Sequence, residues 1–275
     1  MFISLKNIKF NIEIYGENNK NTIVFLHGFS ENLTSFYSLL ELQKYYKLVL
    51  IDLHGHGLTS DNYQAYNFDL IVDDLNELFN KLNINNYILY GYSMGARISL
   101  YYINKYPSKI KKLILESTNV GLKTEIEKTN RKIWDKQVEG YINIGLDKFN
   151  EYWTSLDLFK SQKNLPKDII KKIENRRLTQ NKDKLIKVLN GLSIAKQKYS
   201  MDKLIKVSKI TTLITGELDT KYINIMQEMQ KESNCDLIKV KNAGHNIHIE
   251  RANEIISFIL SLNMILNNSK LSNHL

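Results

Sequence analysis

Ser93 is the residue around which chemistry can be built. It stands in Gly91-Tyr92-Ser93-Met94-Gly95, after the apolar run Tyr87-Ile88-Leu89-Tyr90 and before Ile98-Ser99-Leu100-Tyr101-Tyr102-Ile103, which reads as a helix. Strand, Gly-x-Ser-x-Gly, helix is the order in which this motif makes a nucleophile elbow. The serine takes a sharp, strained turn. Gly91 and Gly95 lack Cβ atoms, so strand and helix can pass close to it. Its Oγ is left exposed at the C-terminal edge of the strand, and the N–H of Met94 at the helix start can stabilise negative charge beside it. The pentapeptide alone fits a glycine-rich turn with a solvent-facing serine equally well. The partners decide.

Such a serine needs a base, and the base needs an orienting acid. Gly216-Glu217-Leu218-Asp219 follows an apolar run and puts Asp219 on a loop at the strand's end; Glu217 is a weaker candidate for the acid. Ala243-Gly244-His245 follows the last apolar run and offers His245 as the base. A second donor for an oxyanion is expected in His27-Gly28-Phe29, as the backbone N–H of Phe29 working with that of Met94. His27 itself reads as structural, because the base is already placed. His54 and His56 lack the carboxylates or thiols of a metal site and read as loop residues with ordinary hydrogen bonds. His248 and Glu250 read as capping or supporting residues in the first turn of the last helix.

The elements that must position these groups alternate. Residues 2–15 suggest two edge strands in a hairpin. Thr22-Ile23-Val24-Phe25-Leu26 and Leu48-Val49-Leu50-Ile51-Asp52 are continuous apolar runs, suited to strands buried on both faces of a parallel sheet. Helices are expected over 33–43 and 67–82, the latter with Phe68, Ile71, Val72, Leu75, Leu78, Phe79 and Leu82 at helical spacing. After the elbow come a strand at 110–116, then strands at 210–216 and 236–240 with helices at about 220–232 and 248–266. The tail after Asn267 is polar and expected to fray. Between about Asn119 and Ser208 the alternation stops and only helical patterns remain. The order Ser93, Asp219, His245 on a doubly wound sheet is that of the α/β-hydrolase fold: α/β, a mostly parallel sheet flanked by helices, with a helical lid insertion. The core is expected to comprise residues 1–118 and 209–275, and the lid 119–208.

Composition narrows the class. Apolar residues make up 43% and charged residues 24% of 275, as in a soluble globular protein. The net charge of +9 is scattered in a Lys-, Asn- and Ile-rich chain, which argues for compositional bias over nucleic-acid binding. Cys235 stands alone, so neither an intramolecular disulfide nor a cysteine metal site is expected, and a reducing cytoplasm fits. The N-terminus lacks the pattern of a signal peptide, and no apolar run approaches membrane-spanning length. A monomer or weak homodimer is expected.

Arg97 stands one helical turn after Ser93, where a cation would suit a carboxylate substrate or simply face solvent. With it the chain resembles a particular family. Gly91-Tyr92-Ser93-Met94-Gly95-Ala96-Arg97 resembles the elbow of the 2-succinyl-6-hydroxy-2,4-cyclohexadiene-1-carboxylate synthases of menaquinone biosynthesis. So do Leu115-Glu116-Ser117-Thr118 with a later helix holding Arg131, Phe149-Asn150-Glu151-Tyr152-Trp153 leading to Leu158-Phe159-Lys160-Ser161-Gln162, Arg177-Leu178-Thr179-Gln180-Asn181, and Gly244-His245-Asn246-Ile247-His248-Ile249-Glu250. The resemblance runs nearly end to end. It implies a lyase that eliminates pyruvate from 2-succinyl-5-enolpyruvyl-6-hydroxy-3-cyclohexene-1-carboxylate by proton abstraction. It also implies that Arg97, Arg131 and Arg177 bind the carboxylates of this small polyanion and that Tyr92 and Trp153 line the pocket, with no cofactor or metal. The chain departs from the family pattern at Ala96 (usually glycine), at Leu192-Ser193-Ile194-Ala195-Lys196-Gln197 (no Gly-Thr-Gly), at Met201 (usually tryptophan) and near Arg251-Ala252 (no proline). The competing readings are a carboxylesterase or carbon–carbon bond hydrolase with the same triad, and a non-catalytic binding protein. Proteins of the last kind typically lose a triad member, whereas all three are present here.

Overall fold

A computed structural model describes residues 1–271, with side chains to Leu262. Strands β1 (Phe2–Ser4), β2 (Ile8–Tyr15), β3 (Thr22–Leu26), β4 (Lys47–Ile51) and the short β5 (Ser60–Asp61) precede helix α1 (Phe68–Lys81). Then follow β6 (Tyr87–Tyr92), α2 (Met94–Lys105) and β7 (Ile110–Glu116). Between β7 and the next strand lie α3 (Glu125–Ile144), α4 (Leu146–Ser155), α5 (Lys167–Leu178), α6 (Lys182–Gly191) and α7 (Met201–Lys206). The chain returns with β8 (Thr211–Gly216), α8 (Thr220–Ser233), β9 (Asp236–Val240), α9 (Ile247–Glu250) and α10 (Ala252–Leu271).

The sheet order is β1-β2-β4-β3-β6-β7-β8-β9, with β5 on β2. From β4 to β9 neighbouring strands are parallel, and β2 runs antiparallel to both β1 and β4. The register aligns the strand ends: Leu26 faces Gly91, Gly91 faces Leu115, Glu116 faces Ile214, and Gly216 faces Val240. His27-Gly28-Phe29, Ser93, Asp219 and His245 therefore leave the sheet along one edge. From β3 the chain passes to β4 on one side, while β6 lies on the other. Phe29 and Ser93 flank that reversal, where open α/β sheets bind ligands.

Three expectations need correction. β2 is not an edge strand. Its eight residues pair with β1 and β5 through the first half and with β4 through the second, so Phe10 and Ile12 are fully buried. The helix expected over 33–43 is 3-10 from Leu33 to Lys44. Its buried Leu33, Phe36, Leu39 and Leu42 recur every third residue, the period of a 3-10 turn. The last helix is interrupted at Arg251, whose backbone (φ −141°, ψ 54°) is not helical. The helix then continues to Leu271, past the expected fraying point at Asn267; residues 272–275 lie outside the described residues.

Both sheet faces are covered. α1 and α2 pack on one, the 3-10 segment and α10 on the other. α1 buries Phe68, Ile71, Val72, Leu75, Leu78 and Phe79, and Asn67 caps it by accepting from the N–H of Leu70. The helices between β7 and β8 form their own apolar cluster of Val138, Ile142, Phe149, Trp153, Phe159, Leu185 and Leu189, which meets the sheet at Phe29. Among the described residues no helix is long and apolar enough to cross a membrane.

Candidate active site

Ser93 sits between β6 and α2 with φ 50° and ψ −106°, a conformation that non-glycine residues rarely adopt. What holds it there is local. Its N–H donates to Glu116 O at 2.9 Å, and its carbonyl accepts from Arg97 N at 3.2 Å. A Cβ on Gly91 would stand 2.5 Å from Ala96 Cα, and one on Gly95 would stand 2.0 Å from Leu26 O. Only glycine lets α2 ride this close to β6 and β3.

His245 Nε2 lies 3.2 Å from Ser93 Oγ, and its Nδ1 lies 2.6 Å from Asp219 Oδ2. A carboxylate only accepts, so Nδ1 carries the proton and Nε2 is left as the base toward Ser93. Asp219 is nearly buried, caps α8 by accepting from Tyr222 N at 3.1 Å, and so comes to the ring pre-aimed. Glu217 turns away and accepts from Asn242 N. Glu250 accepts from Gly244 N at 2.7 Å and fixes the turn that carries His245; burial raises its pKa against that bond. His248 is wholly buried, with Nδ1 2.9 Å from Glu116 and Nε2 2.9 Å from Ser35 Oγ.

The loop after β3 is clamped by groups whose role the sequence did not disclose. Glu31 and Arg176 of α5 form a buried ion pair at 2.5 Å, and Gln180 donates to Glu31 O at 3.0 Å. Burial alone would raise the Glu31 carboxyl; Arg176 and then Arg177 overcome it and hold the pKa low. Removing one member of such a pair costs about 3–5 kcal/mol, because the other charge stays buried. Arg176 stands just before the motif Arg177-Leu178-Thr179-Gln180, and nothing in the neighbouring residues names its partner 145 residues away.

His27 and His56 are built to stay neutral. In each, Nδ1 donates to a carbonyl (Gly28 O, His54 O) while Nε2 accepts a backbone N–H (Leu53, Ser30). Burial drives the pKa of His27 down to about 4; burial, then His27, drives that of His56 to about 3. The unfolded chain, with histidines near 6.5, takes up protons that the folded chain refuses. This contribution to stability is complete above pH 6.5 and is lost as pH falls toward 4 and then 3. It is worth about 3 kcal/mol for His27 and about 5 kcal/mol for His56. The urea midpoint should fall between pH 7 and 4.5, and His27→Gln should flatten the fall; a midpoint independent of pH would refute the neutral clamp. His54, by contrast, directs Nε2 to Asp74 at 2.8 Å, away from His56.

A cavity of about 890 Å³ opens over Ser93. Phe29, Met94, Arg97, Arg131, Trp153 and Met201 are on its wall. Arg97 is buried and donates through Nη1 to Leu192 O at 2.7 Å and Gln197 Oε1 at 3.2 Å, both in the segment that departs from the family pattern. Burial, then Arg131, lowers its pKa to about 10, so it stays cationic at neutral pH. Arg131 is oriented by Asp135 at 2.7 Å and lies over Trp134.

Two expected pocket residues are not on the wall. Tyr92 follows Ile88 and Tyr90 onto the sheet face opposite α2, by the two-residue alternation of a strand. There its OH donates to Asn246 and its ring packs against His245 and His248. Arg177 is buried behind Phe159, its guanidinium 5.1 Å from that ring, with Nη1 donating to Thr154 Oγ1 at 2.9 Å. Its Nε and Nη2 have no hydrogen-bond partner among the described residues.

Comparison with known proteins adds a family. A model of the alpha/beta hydrolase fold matches residues 21–252. A Bacillus subtilis protein assigned as 2-succinyl-6-hydroxy-2,4-cyclohexadiene-1-carboxylate synthase is 34% identical over 248 residues, 89% of this chain and 90% of that protein. The solved structure of MenH from S. aureus superposes with a TM-score of 0.86 at 30% identity, covering 94% of this chain and 97% of that one. A thermophilic esterase from Thermogutta terrifontis superposes at 0.80 with 21% identity over 96% and 98% of the two chains, a likeness of fold alone.

Proposed function

The chain belongs to the alpha/beta hydrolase fold family and, within it, to the 2-succinyl-6-hydroxy-2,4-cyclohexadiene-1-carboxylate synthases; from that premise we propose how its residues carry out the reaction. The enzyme is a lyase of menaquinone biosynthesis, eliminating pyruvate from 2-succinyl-5-enolpyruvyl-6-hydroxy-3-cyclohexene-1-carboxylate. The observation that carries the mechanism is that Arg97 and Arg131 share one cavity with a Ser93 that is hydrogen-bonded to His245.

Ser93 acts as a base and is not acylated. Its Oγ takes the ring proton while its own proton passes to His245 Nε2, and Asp219 balances the imidazolium. The electron pair of the broken C–H bond forms the new ring double bond, the C–O bond to the enolpyruvyl group breaks, and His245 returns the proton to the departing enolate, which becomes pyruvate. The amides of Phe29 and Met94 stabilise the oxyanion that develops on the substrate. The Met94 amide is the first of α2, one of the helix-start N–H groups without an intrahelical acceptor. Arg97 and Arg131 take carboxylates in bidentate pairs that lysine could not reproduce. Trp153 supplies the apolar wall, Arg177 backs it through Phe159, and Tyr92 braces His245 from below. The helices from α3 to α7 form the lid over the 1–118 and 209–275 core. A cytoplasmic monomer or weak homodimer acting without cofactor or metal completes the proposal.

An esterase with the same triad would have no use for these cations. The test is pyruvate release from the enolpyruvyl substrate, with p-nitrophenyl acetate as parallel substrate. Pyruvate release is expected, and Arg97→Ala should lower kcat/KM by about 10²-fold, the scale of a lost charge-assisted pair. Brisk ester hydrolysis without pyruvate would overturn the lyase mechanism.

A further inference from the structure

The substrate named above carries three carboxylates, on the succinyl chain, the ring and the enolpyruvyl group. Of the three arginines that the family resemblance singles out, only Arg97 and Arg131 reach the cavity wall. A third cation does reach it. Lys221 lines the same cavity as Ser93, in the first turn of α8, two residues beyond Asp219. Its neighbour Tyr222 lies 4.6 Å from the ring of His245. Resting on the lyase reading, we propose that Lys221 is a substrate-binding residue whose ammonium takes the third carboxylate and sets the preference for a tricarboxylate.

Lys221 is poorly placed for stability. A cation in the first turn of a helix faces the positive end of the helix dipole. Asp219, the acid nearest in sequence, is occupied by His245 Nδ1 and by the N–H of Tyr222. The other lysine at the cavity rim, Lys123, is paired with Glu232 at 3.1 Å. Lys221 is exposed at the cavity wall, and partial desolvation followed by the charge of Arg131 lowers its pKa, so the two cations already sense each other. An anion held between them would relieve that repulsion. An unfavourable helix-start charge on a wall that also carries Arg97 and Arg131 makes sense as a binding group whose counter-ion arrives with the substrate.

The test is steady-state pyruvate release by wild type, Lys221→Gln and Lys221→Arg, with Tm measured for each. Lys221→Gln is expected to raise KM about tenfold with kcat within about twofold, and to leave Tm unchanged or higher. Lys221→Arg should restore most of the loss. An unchanged KM in Lys221→Gln would overturn the proposal while leaving the lyase intact. A fall in kcat at constant KM would overturn it too, because Lys221 would then act through Asp219. Wild type that releases no pyruvate would bring down the lyase mechanism itself, and this proposal with it.

Discussion

Ser93→Ala should lower pyruvate release by at least about 10³-fold while KM moves less than about threefold. The substitution removes one oxygen and little else. Ser93 Oγ makes no capping bond to α2, and the strained backbone is held by Glu116 O and Arg97 N rather than by the side chain. His245 keeps its bond to Asp219. The folded state should therefore survive with its Tm shifted by no more than about 2 °C, since surface-scale changes at such a site stay within about 0.5 kcal/mol. His245→Ala should cost about as much, and the double variant no more than either, because the two act as one unit. Retention of more than a tenth of the activity in Ser93→Ala would mean that His245 takes the substrate proton directly and that Ser93 is not the base.

Gly95→Ala should be nearly as damaging for a different reason. In an ordinary helix alanine is favoured over glycine by about 1 kcal/mol. Here the new Cβ would stand 2.0 Å from Leu26 O, 2.5 Å from Leu26 C and 2.7 Å from His27 O. All three are backbone atoms at the end of β3, so no side chain can swing aside. Either α2 lifts off the sheet or the His27-Gly28-Phe29 loop moves, and both separate the amides of Met94 and Phe29. A loss of about 3 kcal/mol or more is expected, together with activity down by over about 10²-fold. Gly140→Ala is the matched control. That glycine lies in α3 with nothing within 4 Å of an added Cβ, so alanine should stabilise by about 0.5–1 kcal/mol. Urea denaturation of the two variants decides the matter. A Gly95→Ala protein as stable as wild type would show that α2 and β3 are not in the tight contact described here.

The elbow was legible because its constraints are short-range. Strand, glycine, serine, glycine and helix are neighbours in the chain, and the steric need for Gly91 and Gly95 follows from a turn of a few residues. Asp219 and His245 were legible for a related reason, since each follows a continuous apolar run and a parallel sheet brings the ends of such runs to one edge. The 3-10 segment was half legible. The three-residue spacing of Leu33, Phe36, Leu39 and Leu42 is in the sequence, but it overlaps the helical period closely enough to be taken for it.

What the sequence by itself determined was the sheet, the elbow and the residues that meet there: Ser93, His245 and Asp219, each placed by its own strand. Only the tertiary structure decided which side chains of the intervening helices reach that meeting point. Arg177 and Tyr92 have the right chemistry and sit near the right motifs, yet the one is buried against Phe159 and Thr154, off the cavity wall, and strand alternation turns the other to the opposite face. Lys221 carries no motif and reaches the cavity. Glu31 and Arg176 find each other across 145 residues to brace the loop of Phe29. Strand order and hydrophobic period are properties of neighbouring residues, and the chain writes them locally. Which polar group faces a cavity depends on how separate helices pack over the sheet, and no short stretch of sequence contains that.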